Sequence, residues 1–273
     1  MTNEHDHGDE HHEDHGHQEH PEHQEDDSRD EKSWWATTWP IDTHRTKQLV
    51  IALVATVAVG ALVGATLFRW LEPNALTELD DRIADWFVDQ RTESWTTAAT
   101  WGAFVANTGT KIVASILIAG FALWKWRRWH EAVLIGLTLI FEATAFIVMS
   151  TIVGRPRPDV EALLDSPVDT SFPSGHVAAA TVYAAFAVIV FWHTRALWAR
   201  ALAGVLSIAA PVIVGSSRMY QGMHFFFDVV GGIVLGAVSM VICVRILGAP
   251  HDAVSLPVNS EREPDRRPDA AAA

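Results

Sequence analysis

Hydrophobic residues in this chain gather in long unbroken runs, not in the alternating or one-sided patterns of a water-soluble domain. Leu49–Phe68 is 20 residues without a charge, and about 20 are needed for a helix to cross the hydrocarbon core of a bilayer. Five weaker runs follow: Trp101–Trp124 around Lys111, Ala132–Val153 around Glu142, His176–Trp192, Ala196–Gly215 with Arg200 near its start, and Phe225–Val244. The pattern predicts an all-α membrane protein with six transmembrane helices in a bundle. Between the first two runs, Leu76, Leu79, Ile83, Trp86 and Phe87 recur at helical spacing opposite Asp80, Asp81, Asp85 and Asp89. That spacing predicts an amphipathic helix on the extracytoplasmic membrane surface. Trp34, Trp35, Trp39, Trp70, Trp95, Trp124, Trp126 and Trp129 fall near span ends, where they read as interface anchors.

Charge divides the chain into three parts. Residues 1–31 carry 13 acidic side chains against one Arg, so most of the net charge of −13 belongs to the tail. Segment 1–47 reads as a disordered His/Asp/Glu-rich tail with an interfacial lead-in, 48–247 as the six-helix domain, and 248–273 as a second disordered tail. The body holds no basic patch that would suit nucleic acid, and the single Cys excludes a disulfide framework or a CxxC site. An even number of spans puts both tails on one side. Eight Lys and Arg flank the spans on the tail side against six opposite. This predicts a multi-pass cell-membrane protein with both termini cytoplasmic.

Three polar stretches interrupt the apolar body, all at span ends on the side opposite the tails: Gly154-Arg155-Pro156-Arg157-Pro158, Phe172-Pro173-Ser174-Gly175-His176, and Ser217-Arg218 followed by His224 and Asp228. Ionisable groups at membrane depth point to a site. Ser174 can cap a helix whose N-terminal amides favour an anion, and Gly175 lets a ligand approach the backbone. Arg157 and Arg218 present forks of donors suited to phosphate oxygens. His224 and Asp228 are four apart, so on a helix the carboxylate can hold one imidazole nitrogen and direct the other at a substrate. His176 remains as an acid for the leaving group. Together these residues spell phosphoryl transfer without a metal or cofactor.

The sequence resembles the type 2 phosphatidic acid phosphatase superfamily of membrane lipid phosphatases. Its signature is Lys-x6-Arg-Pro, Pro-Ser-Gly-His and Ser-Arg-x5-His-x3-Asp. The second and third motifs are intact at Pro173–His176 and at Ser217–Asp228, and the first ends correctly at Arg157-Pro158 but has Ser150 in place of Lys. The resemblance implies that His224 attacks phosphorus to form a phosphohistidine, that Asp228 orients it, and that His176 protonates the leaving group and then activates water. Arg157, Ser174, Gly175 and Arg218 would hold the phosphoryl oxygens, with Arg155 supplying a replacement for the missing Lys charge. The implied substrates are lipid phosphates or diphosphates: phosphatidic acid, phosphatidylglycerol phosphate or, in a bacterial setting, undecaprenyl diphosphate. A lipid phosphotransferase on the same scaffold is the nearest enzymatic alternative.

Eight His lie within residues 5–23, interleaved with acidic residues, a composition that suits adventitious binding of a divalent metal. A non-catalytic or metal-handling membrane protein is the alternative from another class. It would need paired ligands within the spans, where Glu142 stands alone.

Overall fold

The computed structural model describes residues 39–104, 107–164 and 169–250; the His-rich segment, Trp34, Trp35 and the C-terminal tail lie outside them. Helix α1, Thr43–Ala65, starts where Asp42 Oδ1 accepts from Arg45 N at 2.7 Å, and runs on through a π-helical turn, Thr66–Trp70. Helix α2, Ala75–Asp89, begins with a reciprocal cap. Asn74 Oδ1 accepts from Leu76 N at 2.9 Å and Thr77 N at 3.2 Å, while Thr77 Oγ1 accepts from Asn74 N at 3.0 Å. Then come α3 (Glu93–Phe104), α4 (Thr108–Trp126), α5 (His130–Val153), α6 (Gly175–Val182), α7 (Ala184–His193), α8 (Leu197–Tyr220, with Pro211 inside it) and α9 (Phe226–Leu247). Among the described residues, six stretches are long and apolar enough to cross a membrane: Thr43–Trp70, Gly109–Trp126, His130–Val153, Gly175–His193, Leu197–Tyr220 and Phe226–Leu247.

Two spans differ from the sequence expectation. The second starts at Gly109 and not at Trp101, because the polar Asn107-Thr108-Gly109 stretch separates a distinct α3 from the spanning helix. The fourth is broken at Tyr183. There the amide of Tyr183 bonds back to Ala180 O at 3.2 Å and that of Phe186 to Tyr183 O at 3.1 Å, each three residues away where a regular α-helix bonds four.

Among hydrocarbon tails, burying apolar surface gives no drive for helices to associate, so close packing of small residues decides which helices meet. Large apolar side chains accordingly face outward, Ile51, Ile116 and Ile208 among them. Helices α6 and α9 approach each other closely. A Cβ added at Gly232 would meet Ser174 O at 2.5 Å, and one at Gly236 would meet Ala178 O at 2.6 Å. This Gly-x3-Gly face presses the start of α6 onto α9, and α5 and α8 flank α6.

At the end of the bundle away from Gly154, the buried Glu131 carboxylate accepts from Arg128 NH2 at 2.6 Å and pairs with His193 Nε2 at 2.9 Å. Trp126 stacks on His193 with ring centroids 4.0 Å apart. Trp126 and Trp129 therefore pack against the core as well as ending helices, while Trp39, Trp70, Trp95 and Trp124 are exposed as interface anchors would be. Glu142 is buried in α5, its Oε2 without a partner, and Lys111 of α4 is the charge that acts on it.

Helix α2 departs from its expected orientation. Thr77, Asp80 and Ala84 form its buried face, so Asp80, assigned by spacing to the water-facing side, points into the protein. The α2–α3 connection is tied to the end of α8. Arg91 NH2 donates to Tyr220 O at 3.2 Å, and Thr92 N donates to the Tyr220 hydroxyl at 2.9 Å.

Candidate active site

Three segments meet at one end of the bundle, where α5 and α8 finish and α6 and α9 begin. The first is the loop after α5, which turns at Gly154 (φ 61°) and folds back on itself: Ser171 N donates to Arg155 O at 2.8 Å, and Ser171 Oγ donates to Pro156 O at 2.8 Å. The second is the entry to α6, held where Ser174 N donates to the main-chain carbonyl of Asp228 at 3.0 Å. The third is the turn between α8 and α9, closed by Met223 N donating to Arg218 O at 3.0 Å. The three polar stretches read from the sequence are thus stitched together by backbone hydrogen bonds.

His224 is buried in that turn. Its Nδ1 lies 2.9 Å from the main-chain carbonyl of Ser171 and 3.9 Å from Asp228 Oδ2. A backbone carbonyl, not the carboxylate, is the direct hydrogen-bond acceptor, so Nδ1 carries the proton and Nε2 holds the free lone pair. Asp228 lies just behind. Burial pulls the His224 pKa down from its ordinary value, and the Asp228 carboxylate pulls it the other way. Ser171 is a partner of His224 that no side-chain pattern reveals, because it reaches the imidazole through its main-chain carbonyl.

Arg157 and Arg218 face the same space closely enough for their charges to repel. Arg157 NH1 donates to Met223 O at 2.7 Å, and burial lowers its pKa against the pull of Asp228 and Asp169. Arg218 is buried. Its NH1 lies 3.4 Å from Gln221 Oε1, and its Nε has no hydrogen-bond partner. Gln221, a further residue the motifs omit, anchors in turn to Ala99 O at 3.3 Å. Ser174 occupies the N-cap position of α6 but makes no capping bond, and its buried Oγ also lacks a partner. Buried donors without acceptors are costly, and here two of them stand beside a helix N-terminus and a pair of guanidiniums. His176, on the first turn of α6, lies within electrostatic reach of Arg218, His224, Lys111 and Arg157. The arrangement concentrates positive charge and N–H donors around a histidine nitrogen, which is the geometry for receiving a tetrahedral oxyanion.

Two expected site residues have close partners within the protein. Arg155, read as a replacement for the missing Lys charge, is turned away from phosphate. Its NH1 donates to Asp228 Oδ1 at 2.6 Å and its NH2 to Asp80 Oδ2 at 2.7 Å. At Gly175, read as clearance for a ligand, an added Cβ would meet the Phe146 ring, whose atoms lie 2.8 Å from where it would stand. Ser150 is buried with its Oγ donating back to Ile147 O at 3.0 Å. Lys111, from a helix that carries none of the motifs, is the nearby cation that the sequence reading left unused.

The PAP2 superfamily model matches residues 131–251, the stretch that carries all of these segments apart from α1 to α4. The chain is 30% identical over 168 residues to phosphatidylglycerophosphatase B of Bacillus subtilis (strain 168), covering 61% of this chain and 82% of that protein. It is 30% identical over 135 residues to YbjG of Escherichia coli (strain K12), provisionally named an undecaprenyl-diphosphatase, covering 46% of this chain and 64% of that one. The crystal structure of a transmembrane PAP2-type phosphatidylglycerolphosphate phosphatase from Bacillus subtilis superposes with a TM-score of 0.59 at 25% identity, over 70% of this chain and 93% of that chain. Aquifex aeolicus LpxE shares the fold, with a TM-score of 0.50 at 23% identity over 64% of this chain and 98% of that chain. With this match in sequence and in fold, the chain belongs to the PAP2 superfamily.

Proposed function

We propose that this protein hydrolyses a membrane lipid phosphate or diphosphate through a phosphohistidine on His224, at the extracytoplasmic face. The observation that carries the reading is the convergence of His224 Nε2, His176, two guanidiniums and the unpartnered Ser174 Oγ and Arg218 Nε at one end of the bundle.

In this mechanism Arg157, Arg218, Ser174 and the α6 amides hold the non-bridging oxygens. His224 Nε2 attacks phosphorus, the N–P bond forms, and the bond from phosphorus to the lipid oxygen breaks. His176 gives its proton to that oxygen. It then takes a proton from water, the resulting hydroxide attacks phosphorus, and cleavage of the N–P bond returns neutral His224 and free phosphate. The charge of the phosphoryl group is met throughout by protein donors, so no step is assigned to a metal.

A lipid substrate is supported by an apolar groove of about 510 Å³ between α1 and α9. Its walls include Val59, Val63, Gly231 and Val234, and it reaches Phe68 and Phe172. Phe172 immediately precedes Pro173-Ser174, so a hydrocarbon chain in the groove leads to the phosphate donors. Phosphatidic acid, phosphatidylglycerol phosphate and undecaprenyl diphosphate all have the required form. The relatives' names favour the last two, and the Lys/Arg asymmetry supports cytoplasmic tails with the site on the other side.

The test is phosphate release by detergent-purified protein from each of the three lipids, with chelator present, beside His224→Ala. Release that survives chelation, is lost in the variant and passes through an acid-labile, base-stable phosphoryl-protein supports the reading. Retained release by His224→Ala removes the nucleophile.

A further inference from the structure

We propose that Asp80 and Arg155 are positioning residues for this chemistry, and that Asp80, acting through Arg155, keeps the charge of Asp228 available to His224. The proposal rests on the phosphohistidine reading above. It joins three elements distant in sequence: the surface helix α2, the loop after α5 and the start of α9.

Arg155 is 3% exposed and both carboxylates are fully buried. The guanidinium is clasped between two rings, with Phe68 and Phe225 centroids each 4.0 Å from its carbon. All four carboxylate oxygens are engaged. Besides their bonds to Arg155, Asp80 Oδ1 accepts from Phe227 N at 3.0 Å and Asp228 Oδ2 from Phe225 N at 2.8 Å. Both amides belong to the first residues after His224, so the clamp fixes the backbone that carries the nucleophile.

The charge count gives the clamp its purpose. When His224 takes the phosphoryl group its imidazole becomes cationic, and a negative Asp228 stabilises it. Arg155 alone would cancel that charge. Asp80, bound to the other side of the guanidinium, restores a net charge of about −1 to the cluster. Two buried carboxylates around one guanidinium are more than a structural ion pair requires. Burial pushes the Asp80 carboxyl up, and the Arg155 guanidinium pulls it the other way. The groups facing His224 are Asp228, Arg157 and His176, with the Ser171 carbonyl on Nδ1; those facing Asp80 are Arg155 and Asp228.

The experiment measures kcat, KM and the pH–rate profile of the full chain on phosphatidic acid in mixed micelles, with thermal unfolding followed in parallel. Asp80→Asn leaves Arg155 to neutralise Asp228. It should lower kcat by about 10- to 100-fold, the usual scale for losing a group that orients another, with KM little changed and the acid limb moved to lower pH. Arg155→Met leaves two carboxylates and should move the limb to higher pH. The double variant restores the single negative charge and should bring the limb back towards wild type. Limbs that stay put, or that move the same way in both single variants, overturn the proposal, since disrupted packing has no reason to give opposite signs. A wild-type protein that forms no phosphohistidine would instead sink the underlying reading. If Asp80→Asn fails to fold, Arg155→Met alone still decides by the direction of its shift.

Discussion

The Phe146 ring lies 2.8 Å from the point where a Cβ on Gly175 would stand. The glycine between Ser174 and His176 is thus required by an aromatic ring behind the site. Gly175→Ala should force the ring or the α6 entry to move, at about 1–3 kcal/mol, and displace both neighbouring site residues. Phosphate release should fall steeply in Gly175→Ala and recover in part when Phe146→Ala is added. No recovery would mean that the space in front of Gly175 is the one that matters.

Acidic conditions should weaken stability through His224 before they weaken activity. Its folded pKa lies below the unfolded value, so the unfolded chain binds the proton more readily. The stability this neutral group contributes is complete above about pH 6.5 and is lost as pH falls below it. His224→Gln should flatten the acid side of a melting-temperature profile, while catalysis in the wild type should persist below pH 6.5 because His224, the proposed nucleophile, stays unprotonated there.

Two guanidiniums that repel each other should welcome an oxyanion. Orthovanadate or inorganic phosphate is expected to raise the melting temperature of the purified protein, by about 2.7 kcal/mol of stability at a hundred times Kd. The effect should vanish in Arg218→Ala. Arg218→Lys, which keeps the charge but loses the fork and the unpartnered Nε, should retain only part of it. An unchanged response in Arg218→Ala would remove that residue from the anion site.

Lys111 is within electrostatic reach of His176, whereas Ser150 bonds back to its own helix. Lys111→Met should therefore lower kcat/KM by about tenfold, the scale of one charge contact. Adding Ser150→Lys to that variant should restore some of the loss by returning the family's charge. If Lys111→Met turns over normally, the site functions with two cationic side chains.

Much of this was legible in the sequence, because hydropathy sets the spans and the motifs lie at their ends. The spans overlap the apolar runs, apart from the start of α4, whose run continues into the separate α3, and the break at Tyr183, which apolarity does not mark. What the sequence concealed has three physical sources. Ser171 acts through its backbone, which every residue possesses. Asp80 sits on a helix whose apolar stripe, with Leu79 and Trp86 exposed, is not the face that packs on the bundle, so periodicity assigned it to water. The role of Arg155 depends on which partners lie within reach, and two carboxylates 75 and 73 residues away claim its donors before phosphate does.

The groove between α1 and α9 opens sideways, its rim formed by exposed Val59, Val63 and Val234. A substrate that enters there is drawn from a two-dimensional solution. The concentration that governs turnover is then mole fraction in the bilayer or micelle, and diluting the lipid with inert detergent at constant bulk amount slows the reaction. The two products part by phase: phosphate passes into water, while the dephosphorylated lipid slides back into the hydrocarbon it never left.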